Sequence, residues 1–525
     1  MFLKITRTKR GKMVYMHAMI VESYRDGKTV RQRVLKNIGP VKTEEDLARA
    51  KALLENLKKG EKLVSLDEIT FDRVKEFGIL HASLKLWERF GLKEAVEKVF
   101  QKKRNGFSVF DALFLLATSR LYNPSSDLET YDWIRNKAHY PAGNLQLHHL
   151  YRTLDLLVEK KDELEKSIFE RLKVRAGMKV DIVFYDLTST YFEGDGPDSA
   201  MYGYSRDKRP DRKQVVIGLV LCDGFPITHK VWPGNTADKS TLKEAVADLK
   251  QKFQIGRTVF VADRGLIVET NLEELESSDY DYIIATRRRR DNFVRDLITQ
   301  ETEEEARVVK EDGKRRYVLC FNRETQESEK RRLVKIRDES GKKLEEIKRA
   351  VDGRKKSRHG IDRLVEKTLK KSGTRFFKWD FSDKVFSYSL RKDSWDYENA
   401  IAGKFLLVTN TTGFGPEETM KSYKDLKRIE QTFRELKDII NLRPVNHSSS
   451  VRVEGHVFVC VLSVLTRRLM SKSLLDTNEI IRELADVKVV ECDIGNERHQ
   501  FLTRLSNKQK EIFGKLGIEL PTKCP

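Results

Sequence analysis

Cysteine is scarce and scattered: Cys222, Cys320, Cys460, Cys492 and Cys524 form no CxxC pair, and their number is odd. That excludes a disulfide framework and a zinc site built on paired thiolates, and it points to a reducing compartment. Long apolar runs are also missing. The longest, HVFVCVLSVL from His456 to Leu465, is about half of a ~20-residue membrane span. The opening MFLKITRTKRGKM lacks the continuous apolar segment of a signal peptide, so a cytoplasmic protein is expected. Internal repeats and low-complexity tracts are absent too.

Charge is what the chain has in excess. Charged residues make up 35% of its 525 residues, against about 25% in ordinary soluble domains. Lys and Arg number 101 against 81 Asp and Glu, a net charge of +20. This balance favours a polyanionic partner, nucleic acid first, through counterion release. Hydrophobic residues at 39% are enough for real cores, and the length calls for two to four domains.

The first forty residues alternate in β fashion around Asp26-Gly27, a hairpin signal. They predict a small basic sheet over 1–42. Thr43 and Asp46 then cap an amphipathic pattern, and helical periodicity dominates 43–176. From 177 to 286 the texture becomes strand-like: VDIVFYDLT, QVVIGLVLCDG and FPITHKVWPG, then TVFVADRG and YDYIIATR with helices between. Three strands forming a meander, followed by β-α alternation with parallel strands, is the order of an RNase H-like α/β sheet. Residues 287–410 read as a charged, β-rich insertion, opening on the basic run Arg287–Arg290. Residues 411–470 hold one long helix, Pro416 to Ile440, and an apolar helix, and 471–525 read as a helical tail.

Two apolar runs stop on aspartate: Asp186 in VFYDLTST and Asp263 in VFVADRG. Each alone reads as well as a turn or cap. Together, at the carboxyl ends of strands in an α/β sheet, they are placed to form a site. Paired carboxylates repel, and Mg²⁺ or Mn²⁺ relieves the repulsion. Two such ions about 3.5–4 Å apart stabilise both the attacking and the leaving oxygens of a phosphodiester. YKDLKRIEQTFRELK offers a third acid, Glu430, beside an apolar seam of Ile429, Phe433, Leu436 and Ile440. On a uniform helix Tyr423, Glu430 and Lys437 would share one stripe, open to a phosphate backbone. The loop YGYSRDKRPDRK interleaves Tyr202 and Tyr204 with Arg206, Lys208, Arg209, Arg212 and Lys213, a mixture suited to DNA backbone contact and base stacking or to a solvated hairpin loop. Trp232 reads as core, and His148 and His149 as structural.

YDLTSTYFEG, the YGYSRDKRPDRK segment running to WPGNTAD, VFVADRG, and YKDLKRIEQTFRELKDIINLRPVNH together resemble the DDE transposases of bacterial and archaeal insertion sequences, in the subgroup with a β-rich insertion before the catalytic glutamate. The resemblance implies Asp186, Asp263 and Glu430 as catalytic, metal-holding acids. It implies DNA ends and target DNA as partners and a homodimer in the synaptic complex. It also implies that the helical region recognises element ends together with the first sheet. The subgroup carries tyrosine seven before the glutamate, arginine four before it and lysine seven after it; Tyr423 and Lys437 match, and Leu426 departs. A nuclease on the same fold that does not join strands, and a catalytically silent DNA-binding derivative, remain the alternative readings.

Overall fold

The computed structural model describes the chain except residues 11–12, 61–68, 101–105, 256–257, 264–268, 287–291, 353–356, 495–496 and 522–525. The Arg287–Arg290 run and Cys524 therefore lie outside the described residues.

Two units organise the chain, one built mainly from Met1–Glu76 and Val487–Leu505, the other from Phe77–Asp486 and Ser506–Leu520. In the first, β1 (Phe2–Arg10), β2 (Met13–Asp26) and β3 (Thr29–Val41) form an antiparallel sheet. Gly27 takes a φ of 63° at the expected hairpin turn, a conformation open to glycine because it lacks a Cβ. Helix α1 (Glu44–Lys58) begins at the expected Thr43–Asp46 capping box. It packs Ala50 and Leu47 against Leu3, Met16, Ala18 and Val41 of the sheet.

Two expectations fail in this unit. Residues Ile69–Glu76, placed in the helical region, form β4, and Lys488–Ile494 (β15) and Glu497–Leu502 (β16) are strands where a helical tail was expected. β4 pairs with β15 across more than 400 residues. TFDRVKE and KVVECDI are short, and each is stabilised by a partner remote in sequence, so local periodicity carries little of the signal.

The second unit opens with helices α2 (Gly78–Arg89), α3 (Leu92–Val99), α4 (Val109–Tyr122), α5 (Asp127–Asn136), α6 (Leu147–Glu159) and α7 (Lys161–Arg175). Its centre is a sheet of eight strands in the order β10-β11-β14-β9-β8-β5-β6-β7. The strands are β5 (Ile182–Tyr191), β6 (Gln214–Cys222), β7 (Phe225–Pro233), β8 (Val259–Ala262), β9 (Asp281–Ala285), β10 (Ala306–Asp312), β11 (Arg315–Phe321) and β14 (Lys404–Thr409). β5, β6 and β7 form the expected antiparallel meander, and β8 and β9 run parallel to β5. Helices α8 (Asp238–Gln251) and α9 (Glu269–Ser277) connect the later strands.

Between β9 and β14 the expected β-rich segment is mainly helical. It holds α10 (Asn292–Ile298), α11 (Arg323–Val351), α12 (Arg358–Thr374) and α13 (Lys392–Ala400), with one small hairpin, β12 (Phe377–Ser382) and β13 (Val385–Leu390). The charge that made the segment look irregular coats helices whose apolar residues recur at helical spacing. Leu333, Leu344, Ile347 and Val351 of α11 join Val365, Phe376 and Phe386 in a separate core. β10 and β11 extend the central sheet instead of the insertion.

The expected single helix from Pro416 to Ile440 is three pieces: α14 (Pro416–Lys424), α15 (Lys427–Arg434) and a π-helical turn, Glu435–Ile439. At Asp425 and Leu426 the ladder tightens to i+3 bonds, Arg428 to Asp425 at 2.9 Å and Ile429 to Leu426 at 3.0 Å. Beyond the π turn come α16 (Ser450–Ser471), α17 (Thr477–Ala485) and α18 (Asn507–Leu516). The apolar run of α16 is core. Ser463 Oγ donates to the Ala117 carbonyl at 2.8 Å, and Trp87 Nε1 to Thr466 Oγ1 at 2.9 Å. Among the described residues no helix is long and apolar enough to cross a membrane.

Candidate active site

Asp186 lies in the middle of β5, a departure from the strand end read in the sequence. Among the described residues β8 pairs with Ile182–Tyr185, while β6 pairs with β5 as far as Tyr191. Thr188, Ser189 and Thr190, which follow Asp186 in β5, are buried strand residues; β-branched threonines suit the pleat.

The parallel register sets Ala262 opposite Tyr185, which brings Asp263 level with Asp186. Strand alternation puts Asp186 on the face of Phe184. That face packs against Ile429, Phe433, Leu436 and Ile440, the seam expected of the glutamate helix. Glu430, beside the seam, is exposed. Leu426 is buried in the same core. Arg428 is paired with Asp425 at 3.6 Å.

Burial pushes the Asp186 carboxyl up to about 7, and the negative charges of Asp263 and Glu430 push the same way. The Leu187 N–H, donating to Asp186 Oδ1 at 2.7 Å, and the Arg206 guanidinium oppose them. Asp186 thus lies within the field of both other acids. Among the described residues, no group of three or more His, Cys, Asp or Glu is arranged to hold a metal ion. Asp186 and Asp263, level on adjacent strands and of like charge, offer the hard oxygen donors that suit a divalent cation.

The residues of the expected stripe lie on three successive pieces, Tyr423 on α14, Glu430 on α15 and Lys437 in the π turn. Tyr423 Oη donates to Asp263 Oδ1 at 3.4 Å, so it steadies one of the acids. Lys437, within the π turn, donates to Asp207 at 2.7 Å. Asp207 also pairs with Arg443 at 3.4 Å.

In the YGYSRDKRPDRK loop, Tyr202 and Tyr204 are 61% and 81% exposed, and Lys208 is exposed. Arg206 binds inward: its N–H donates to Ser189 Oγ at 3.1 Å and its guanidinium pairs with Asp238 at the start of α8. Arg209 pairs with Asp211 at 2.9 Å, Arg212 with Glu193 at 3.6 Å and Lys213 with Asp195 at 3.7 Å. Arg209 and Arg443 both lie over the Tyr191 ring, at 5.1 and 4.7 Å.

Sequence reasoning missed what holds this loop. Buried Gln214 donates through Nε2 to the Tyr204 carbonyl at 2.9 Å and to the Gly234 carbonyl at 3.3 Å. A Cβ on Gly203 would meet Gly234 O at 2.0 Å, and one on Gly234 would meet Gln214 O at 2.1 Å. The glycines of YGYS and WPGN are therefore close-approach positions, and their recurrence in flanking motifs was the available signal. Trp232 is half-buried: its ring covers Gly218, and its N–H donates to Glu244 at 3.3 Å. His149 stacks on Phe107, consistent with a structural role.

Among curated proteins none matches the chain. Three similar solved structures are a piggyBac transposase synaptic complex with hairpin DNA, a pre-cleavage Mos1 transpososome and a Mos1 transposase paired-end complex with the left transposon end. Identities are 9%, 11% and 12%, and TM-scores 0.36, 0.15 and 0.15. The alignments cover 79%, 36% and 46% of this chain and 82%, 62% and 67% of those chains. Residues 3–67 match the family described as IS1634 family transposase, N-terminal domain. Residues 179–466, more than half of the chain and spanning all three acids, match the family described as Transposase DDE domain. The chain therefore belongs to the DDE transposases of insertion sequences, enzymes that cleave DNA and transfer its strands.

Proposed function

We propose that Asp186, Asp263 and Glu430 are the catalytic acids, on a sheet of RNase H-like order, and that they hold Mg²⁺ or Mn²⁺, two ions, at the element end. The observation carrying this reading is the parallel β5–β8 register, which sets Asp263 level with Asp186 on the face against which the Glu430 helix packs. When bound, the ions supply the Lewis acidity that activates water, and then the freed 3′-hydroxyl. Asp186, Asp263 and Glu430 would supply carboxylate oxygens to such ions. Tyr423 holds the Asp263 carboxylate in orientation.

The partner is DNA, both element ends and target. Exposed Lys208, Tyr202 and Tyr204 meet it first, and Arg206, Arg209, Arg212, Lys213 and Lys437 gain phosphate contacts as their internal ion pairs exchange. Bringing two ends together calls for a homodimer, with the helices before 176 and the first sheet recognising the ends. Work on DNA places the protein in the cytoplasm, at the nucleoid.

The test is cleavage and joining by the full chain on duplexes carrying candidate ends, with Mg²⁺ or Mn²⁺. Asp186→Asn, Asp263→Asn and Glu430→Gln should each abolish both steps. Wild-type rates in any of them would remove that residue from the triad.

A further inference from the structure

The first unit carries a feature that catalysis does not use. β1 pairs with β2 only from Met13 to Val21, while β2 and β3 continue to the turn, with Glu22–Asp26 facing Thr29–Arg33. Five residues per strand at about 3.4 Å each make a two-stranded ribbon roughly 17 Å long. Every residue from Ser23 to Asn37 is exposed. A B-DNA major groove, about 12 Å wide and 8.5 Å deep, admits a ribbon of this kind.

Its two faces differ. Directly opposed residues share a face, so Glu22, Tyr24 and Asp26 lie with Arg33, Arg31 and Thr29. There the charges are matched internally, Arg33 with Glu22 at 2.7 Å and Arg31 with Asp26 at 3.2 Å. The other face carries Ser23, Arg25, Val30 and Gln32. Lys4 donates to Gln32 at 2.9 Å, and Leu3, its neighbour on β1, packs toward α1; this second face is thus turned away from the helix. Among the described residues Arg25 has no ion-pair partner. Residues 1–41 hold ten Lys and Arg against two Asp and Glu, a surplus complementary to phosphates.

We propose that the β2–β3 ribbon enters the major groove of duplex DNA and reads base edges with Arg25, Gln32 and Val30. Arginine matches the O6 and N7 acceptors of guanine, glutamine the N6 and N7 of adenine, and an apolar side chain the thymine methyl. Lys28 at the turn and the remaining cations of the sheet meet the flanking phosphates. The inference rests on the DNA-cleaving reading and adds where sequence is recognised.

The experiment is selection of bound duplexes from a randomised library by the full chain at about 150 mM salt, followed by dimethyl sulfate interference on the winners. Wild type should enrich one motif, with interference at guanine N7 in the major groove. Arg25→Ala and Gln32→Ala, both exposed and away from the core, should each relax preference at one position by about 5- to 150-fold. Gln32→Ala, which leaves the charge unchanged, should hold affinity for unrelated duplex within about two-fold. An unchanged motif in the double variant, interference confined to adenine N3 in the minor groove, or no wild-type motif would each overturn the proposal. Asp186→Asn serves as the separate control: it should enrich the wild-type motif while losing cleavage, so a failure of the catalytic reading shows in cleavage alone.

Discussion

Lys437 donates its ammonium to Asp207 at 2.7 Å, with Arg443 on the other carboxylate oxygen at 3.4 Å. This joins the π turn after the Glu430 helix to the loop that holds Arg206 beside Asp186. The pair is largely buried, and burial pulls the Lys437 pKa down.

Removing one partner of a buried pair leaves the other uncompensated, at a cost of about 3–5 kcal/mol. Asp207→Ala strands two cations, while Lys437→Met leaves Asp207 its Arg443. Asp207→Ala should therefore lower the thermal midpoint more than Lys437→Met, and the double variant should fall short of the sum. Differential scanning calorimetry of the three variants checks this; additive losses would mean the two residues are not coupled.

Asp186 has a pH signature. Its folded pKa, about 7, lies above the unfolded value near 3.8, so the native state binds the extra proton between those limits and stability falls as pH rises through them. At about 1.4 kcal/mol per unit, the ionised carboxylate costs on the order of 4–5 kcal/mol above pH 7. In EDTA, Asp186→Asn should be more stable than wild type at pH 8 and equal to it below pH 4. Mg²⁺ should stabilise wild type at pH 8 and leave the variant unmoved. Equal melting of the two proteins at both pH values would contradict the assignment.

Gly234 has no room for a methyl group: its Cβ would lie 2.1 Å from Gln214 O and 2.3 Å from Met201 O, both backbone atoms. Gly234→Ala must displace the loop carrying Arg206, and a misplacement of about 1 Å can cost ~100-fold in rate. Cleavage should fall by at least about ten-fold while the far-ultraviolet circular dichroism stays unchanged. A rate within two-fold of wild type would show that the clamp does not serve the site.

Glu165, at the opposite margin of the sheet, accepts from Thr228 at 2.8 Å and pairs with Lys161 at 2.8 Å, His229 at 3.2 Å and Lys252. Burial opposes its ionisation, but Lys161, His229 and Lys252 hold its pKa well below the usual range. Its stabilising effect is present above about pH 4.5 and is lost as pH falls through that lower value. Burial also lowers His229 to about 4, so below the unfolded histidine value near 6.5 protonation favours the unfolded chain. Glu165→Gln should lower the thermal midpoint at pH 7 by about 3–6 °C. His229→Gln should flatten the fall in midpoint between pH 6.5 and 4. Midpoints that follow wild type would refute the network's role.

Sequence by itself determined the meander and parallel strands, the Asp26-Gly27 hairpin, the Thr43 cap and the apolar seam of Ile429, Phe433, Leu436 and Ile440. All are written in short-range period and turn chemistry, and it singled out Asp186, Asp263 and Glu430 by residue type. Tertiary structure alone decided that Asp186 sits inside a strand, because β6 pairs with β5 beyond it as far as Tyr191. It paired β4 with β15, and it gathered the charged insertion into helices around a core of their own. It also divided the expected single helix at Leu426 and again after Arg434, and set Lys437 of the π turn against Asp207. Local pattern specifies which face of an element is apolar; which partner covers that face, and how far the chain is wound on the way, depend on packing between residues hundreds of positions apart.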